Sequence, residues 1–249
     1  MINSNPNDGG GLLATTPFKH VIYVDLEFQI KNGNRPWPVC MVVNDGLTRQ
    51  TKRYWRDELV RMNEAPFETG TDAVVVAYAA QAVLSCFLTL DWKLPVNVLD
   101  LFAEYRVETN GRGLHASLLS ALASYGLAHI DAGEKETTRD LILKGGQSRA
   151  EQEAILKDCA SHVDALVALL AAMSSMIDWP RALLRGRYTA AVARMEHSGV
   201  PIDARLLRAV DQEWRTVKKR LASTNFSITL TSSYSMPEAQ LRSGSSFET

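Results

Sequence analysis

The stretch His20-Val21-Ile22-Tyr23-Val24-Asp25-Leu26-Glu27-Phe28 constrains this chain most, because two carboxylates interrupt an otherwise apolar, β-branched run. β-Branched and aromatic residues favour a strand, and side chains alternate faces along it. Val21, Tyr23, Asp25 and Glu27 therefore share one face, and Ile22, Val24, Leu26 and Phe28 share the other. Carboxylates are costly to bury unpaired. A D-x-E pair at the end of a core strand thus marks either a cation or functional site, or a strand-end pair facing water.

The rest of the chain supplies a frame for that strand. Turn chemistry follows over 31–36, and the alternation predicts strands over 37–43 and 48–55, an antiparallel meander joined by short connections. A continuous apolar strand over 72–78, a helix over 79–90 and a buried strand over 96–99 imply a parallel crossover. Beyond Gly113 the pattern turns helical, with helices expected over 114–125, 136–143 and 148–176. The last carries Ile155, Cys159, Val163, Leu166, Leu170 and Met173 at helical spacing, which makes it a core helix. Trp179-Pro180 ends it, another helix covers 181–198, Gly199 caps that one, and Asp203 begins one more with Leu206, Leu207, Val210 and Trp214. Meander, crossover and helical half give an α/β domain built on one mixed sheet, with the acidic strand central. The expected division is a disordered leader over 1–18, the sheet domain over 19–177, a helical extension over 178–222 and a disordered Ser/Thr-rich tail over 223–249.

A net charge of −1 exerts no global pull toward nucleic acid, so any such binding must come from a local patch. Cys40, Cys86 and Cys159, an odd count without CxxC spacing, argue against a disulfide scaffold and a structural zinc site and fit a reducing cytoplasm. The N-terminus has neither a basic region nor a long apolar core, and the longest apolar run, 165–173, falls short of a bilayer span, so no membrane partner is expected.

Taken in order, VIYVDLEF, the meander, VVVAYAAQAVLSCFLTLDWKLPVNVLDLFAEYR, EAILKDCASHVDALVALL and IDWPRALLRGRYTAAVARMEHSGVPID resemble the 3′ to 5′ proofreading exonuclease domain of family A DNA polymerases, phage- and plasmid-type members above all. The resemblance covers about residues 19–215, and the succession of segments is far more specific than D-x-E alone. It implies a ribonuclease-H-like fold, here a mixed five-stranded sheet flanked by helices with a C-terminal helical extension. It also implies membership of the DEDD exonucleases, whose four acids hold two Mg²⁺ or Mn²⁺ ions for hydrolysis of a phosphodiester bond. The partners it implies are single-stranded DNA or a DNA 3′ end, and a polymerase domain that this sequence lacks. The trailing RGRY…ARMEHSGVPID segment is similar to the lead-in to that domain.

Asp25 and Glu27 match the first motif of the family and would contact the metals. The position of the second acid falls at Val83, which cannot hold a metal. The third motif, Tyr-x-x-x-Asp, falls at Asp158 and His162, so a carboxylate replaces the tyrosine and an imidazole replaces the aspartate. Compensation has two sources. Asp100 ends the strand beside the acidic one and could serve the site, or cap a helix. Asp158 and His162, at i and i+4, share a helical face and could pair or jointly bind a metal, or stay exposed beside the core stripe. Asp164 falls on another face and is expected in solvent. Among cations, Arg49, Lys52, Arg53 and Arg56 around Tyr54 and Trp55 guard an edge strand or touch phosphates, and Arg181, Arg185, Arg187 and Arg194 with Tyr188 track a backbone or are solvated. Lys144-Gly145-Gly146 reads as a helix end. The functional expectation is an exonuclease-like domain with weakened or lost catalysis; the alternatives are a non-catalytic nucleic-acid- or polymerase-binding module and a fragment of a longer polymerase.

Overall fold

The computed structural model describes residues 16–30, 35–110, 112, 115–127, 132–146 and 148–223. Most of the expected leader, the turn over 31–34 and the Ser/Thr-rich tail lie outside them. Five strands, β1 (His20–Gln29), β2 (Trp37–Asp45), β3 (Gln50–Trp55), β4 (Ala73–Ala77) and β5 (Val98–Asp100), form one mixed sheet in the order β3-β2-β1-β4-β5. The meander pairs antiparallel and the crossover parallel, with β1 at the centre. β4 has a flanking strand on each side and a packed layer on each face, so all five of its residues are buried and apolar. β3 is an edge, and its Lys52 and Arg53 are exposed, which discourages further strand pairing.

The alternation of β1 divides the core in two. Val21 and Tyr23 join Val42, Val74 and Leu99 on one face, where the helix α6 (Arg149–Met173) supplies Ile155, Cys159, Val163, Leu166 and Leu170. Ile22, Val24 and Leu26 join Met41 and Val75 on the other, covered by α2 (Ala80–Thr89) through Val83, Leu84 and Phe87. Ser148 and Glu151 form a reciprocal capping box that starts α6: Glu151 N–H donates to the Ser148 hydroxyl at 3.2 Å, and Ser148 N–H donates to the Glu151 carboxylate at 2.8 Å. With the 3₁₀ turn Ser174–Met176, α6 is long and apolar enough by composition to cross a bilayer, and its apolar stripe is taken by the sheet. The remaining helices of this half are α1 (Arg56–Leu59), α3 (Leu101–Glu108), α4 (Leu118–Ser124) and α5 (Ala132–Lys144). The end of α5 is pinned by Gln29, which donates to the Ile142 and Leu143 carbonyls at 2.5 and 3.0 Å, and by Arg56, which donates to the Gly145 carbonyl at 3.0 Å.

Two expectations change at the C-terminal side. Pro180 does not precede the next helix; α7 runs Trp179–Ser198 with the proline in its first turn, where its missing N–H costs no helical bond. And α7 belongs to the sheet domain. Its buried positions Ala182, Gly186, Thr189 and Ala193 form a strip of small residues, with Ala182 in the core of the α6 face and Ala193 in that of the α2 face. Between them a Cβ on Gly186 would come within 2.0 Å of the Val98 carbonyl oxygen, so α7 lies directly on the β5 edge of the sheet. The Arg185 guanidinium donates two hydrogen bonds, at 2.7 and 2.6 Å, to the buried Glu104 of α3, and Trp179 packs edge-on against Phe18 at 5.8 Å. Internal contacts accordingly divide the chain after His197, downstream of the expected boundary at 177/178. The second unit holds α8 (Ala204–Ser223), capped by Asp203 through the amides of Arg205 and Leu206 at 2.9 and 3.0 Å.

Candidate functional site

Asp25 and Glu27 occupy the second half of β1, opposite Val42 and Cys40 of β2, on the face that α6 crosses. The ladder shifts register between Glu27 and Phe28, so the acids stand where regular pairing ends. α6 brings Asp158, Cys159 and His162 against them. Cys159 belongs to the buried stripe, and Asp158 and His162 lie one turn apart on its flank. His162 Nδ1 is 3.0 Å from Asp25 Oδ2 and 3.4 Å from Glu27 Oε1. The Cys159 thiol donates toward the Asp25 carbonyl and Oδ2 at 3.5 and 3.6 Å. The side chains of Asp25, Glu27 and His162 remain 20%, 18% and 12% exposed, so the cluster opens to solvent.

Its electrostatics follow from that geometry. Burial pushes the Glu27 carboxyl up, the charges of Asp25 and Asp158 push the same way, and His162 opposes them. Burial alone would lower His162, but its bonds to Asp25 and Glu27 and their charges override that and raise it to about 10. The contact with Asp25 and Glu27 thus favours the protonated form of the His162 ring. Burial also raises the Cys159 thiol, which leaves it protonated and inert.

Ligand-type atoms of Glu27, Asp158 and His162 lie within 4.8 Å of one another, as do those of Asp25, Glu27 and Cys159. Two carboxylates and an imidazole are a donor set that fits one divalent cation. Among the described residues the buried Nε2 of His162 has no hydrogen-bond partner. Val83 is packed in the core of the opposite face with Leu26 and Phe87.

The other residues singled out in the sequence lie elsewhere. Asp100 is 5% exposed and caps α3, accepting from the Phe102 amide at 3.1 Å; the amides of Ala79, Ala80 and Ala103 also point at its carboxylate. Burial nevertheless raises it to about 6. It is not among the grouped donors. Asp164 is exposed. Arg185 is committed to Glu104, Arg181 pairs with Asp178, and Arg56 is committed to the α5 end, which reduces both basic groups. Cys159 is the member that sequence reasoning assigned only to the core; a cysteine in an apolar stripe carries no signal that separates the two roles.

No family profile matches the sequence, and no curated protein matches it. Solved structures do match. Escherichia coli RNase D, described as an exoribonuclease involved in structured RNA processing, superposes with a TM-score of 0.50 at 17% identity, over 85% of this chain and 52% of that one. A structure described as the apo form of a nuclease gives a TM-score of 0.51 at 13% identity, over 77% and 92% of the two chains. The catalytic core of RRP6 from Trypanosoma brucei gives 0.48 at 13% identity, over 76% and 51%. This chain thus spans about half the length of the RNase D chain it resembles. The likeness shows the fold: a ribonuclease-H-like exonuclease fold with a helical C-terminal part.

Proposed function

We propose that this chain is a 3′ to 5′ exonuclease-like domain that receives a nucleic-acid 3′ end at the Asp25–Glu27–Asp158–His162 cluster and hydrolyses its terminal phosphodiester slowly, with a divalent metal. The observation that carries this reading is the convergence of the β1 acids with the α6 pair in a solvent-reaching cluster, on a fold shared with known nucleases. A bound Mg²⁺ or Mn²⁺ ion would supply Lewis-acid polarisation of the phosphate and an acidified water. Glu27, Asp158 and His162 would hold it, and Asp25 would orient His162 and the incoming 3′ end. No tyrosine stands at 158 to position the attacking water, and two acids of the family set are missing, at Val83 and His162, which is why the rate is expected to be low. The proofreading resemblance favours a DNA 3′ end and a polymerase domain as partner, and the cysteine usage favours a cytoplasmic setting; the RNase D likeness brings in RNA as the competing substrate. Labelled single-stranded DNA and RNA incubated with Mn²⁺ test all of this. Shortening from the 3′ end that disappears in Asp25→Ala is the expected result, and no shortening above that control refutes catalysis.

A second reading has its own support. His162 already pairs with the two β1 acids, and Val83 is core. The site then holds a 3′ end without cutting it, and salt-dependent binding of single-stranded DNA without turnover is its signature.

A further inference from the structure

Metal–nitrogen and metal–oxygen bonds of about 2.0–2.2 Å place neighbouring ligand atoms about 3.0–3.5 Å apart, from octahedral to tetrahedral geometry. His162 Nδ1 stands 3.0 Å from Asp25 Oδ2 and 3.4 Å from Glu27 Oε1, and Asp158 offers an oxygen within the same 4.8 Å group. These hydrogen-bonded spacings match the edges of a coordination polyhedron, and a cation bound there would take the place of the Nδ1 proton. Its composition differs from an all-oxygen site. Mg²⁺ prefers hard oxygen ligands, keeps much of its water and gains little from imidazole, whereas Mn²⁺ and more strongly Zn²⁺ accept a nitrogen ligand. We infer that the cluster is a mononuclear site selective for a transition-metal dication over Mg²⁺, with His162 Nδ1 as the selecting ligand and Glu27 and Asp158 as the oxygen ligands. This rests on the metal-dependent reading above and narrows it to one ion and one class.

Two features of the chain support the departure from a two-ion centre. The position that would furnish a further acid is filled by Val83 among apolar side chains, so no carboxylate reaches in from α2. And the remaining acid at the strand ends, Asp100, faces the helix amides it caps. Charge for a second dication is therefore missing on both sides, while Asp25, 3.0 Å from the ring nitrogen, holds the imidazole facing Glu27.

Calorimetric titration of the intact protein with Zn²⁺, Mn²⁺ or Mg²⁺ alone, followed by metal content per chain after dialysis, tests the inference. One ion per chain is expected, with Zn²⁺ and Mn²⁺ each binding at least tenfold more tightly than Mg²⁺. In His162→Gln the preference should collapse through loss of Zn²⁺ affinity; in His162→Asp, which restores an oxygen ligand, Mg²⁺ affinity should rise. Asp158→Asn should weaken every ion, and it serves if the His162 variants do not fold, as judged by circular dichroism. Equal affinity for Mg²⁺, two ions per chain, no ion at all, or a preference that survives in folded His162→Gln overturns the inference. Mg²⁺-supported shortening of DNA or RNA with two bound ions would overturn it and leave the exonuclease reading standing. No bound ion together with no bound nucleic acid removes both.

Discussion

Asp100 shows how much one buried carboxylate does at the end of a sheet. It closes β5, caps α3 and draws the first amides of α2 to the same oxygens, so two helix N-termini converge on it. Helix N-termini carry partial positive charge, which favours the anion, yet loss of hydration outweighs them and raises the carboxyl to about 6. A carboxyl raised from its ordinary value near 3.8 contributes stability that is complete below that value and is lost as pH rises through 6. Wild-type melting temperature should therefore fall between pH 4 and pH 7 relative to Asp100→Asn, which keeps an acceptor without the charge. Asp100→Ala, which keeps neither, should be about 1–3 kcal/mol less stable than the asparagine variant in denaturant unfolding at one pH. Thermal and chemical melts of the three proteins check both statements. The acids of β1 were legible from alternation alone because a strand exposes its period directly. The approach of Asp158 and His162 was not, since i and i+4 spacing puts two residues on one helical face without saying which strand that face meets.

The elements divide into those written in large apolar side chains and those written in small ones. β1, β4 and α6 announce themselves through β-branched alternation, a continuous apolar run and a 3.6-residue stripe, and the structure has all three where the pattern puts them. α1, a single turn, is too short to show any period. α7 escaped assignment to the domain for a different reason. It meets the sheet through Ala182, Gly186 and Ala193, so the face it buries is marked by the lack of bulk, and its larger Leu184, Tyr188 and Met195 face outward. Gly186→Ala should destabilise the domain by more than 1 kcal/mol, because the new methyl meets backbone that cannot rotate away, even though alanine is the better helix former. Urea unfolding compared with Ala190→Gly, a helix-weakening change without that clash, separates the two effects. Ser148→Ala should cost about 1 kcal/mol through loss of the α6 cap, measured in the same way.

At the scale of the molecule, the two units predict where the chain tolerates cutting. Residues 199–203 lie between α7 and α8 and include Gly199 at φ +70°, and among the described residues a protease of broad specificity should nick there first. A chain ending at Ser198 should keep the melting temperature of the full protein within about 2 °C, whereas one ending at residue 177 should lose solubility; size-exclusion chromatography and thermal melts compare them. The difference between those chains is α7, which covers the β5 edge. On the ribosome the same difference becomes an interval of time. Val98 is polymerised about a hundred residues before α7 is finished, which at 5–20 residues per second is roughly 5–20 s. Throughout it β5 can pair with any strand that comes near, so the hazard to this fold is greatest while it is being made, and a codon stall before residue 198 would lengthen it.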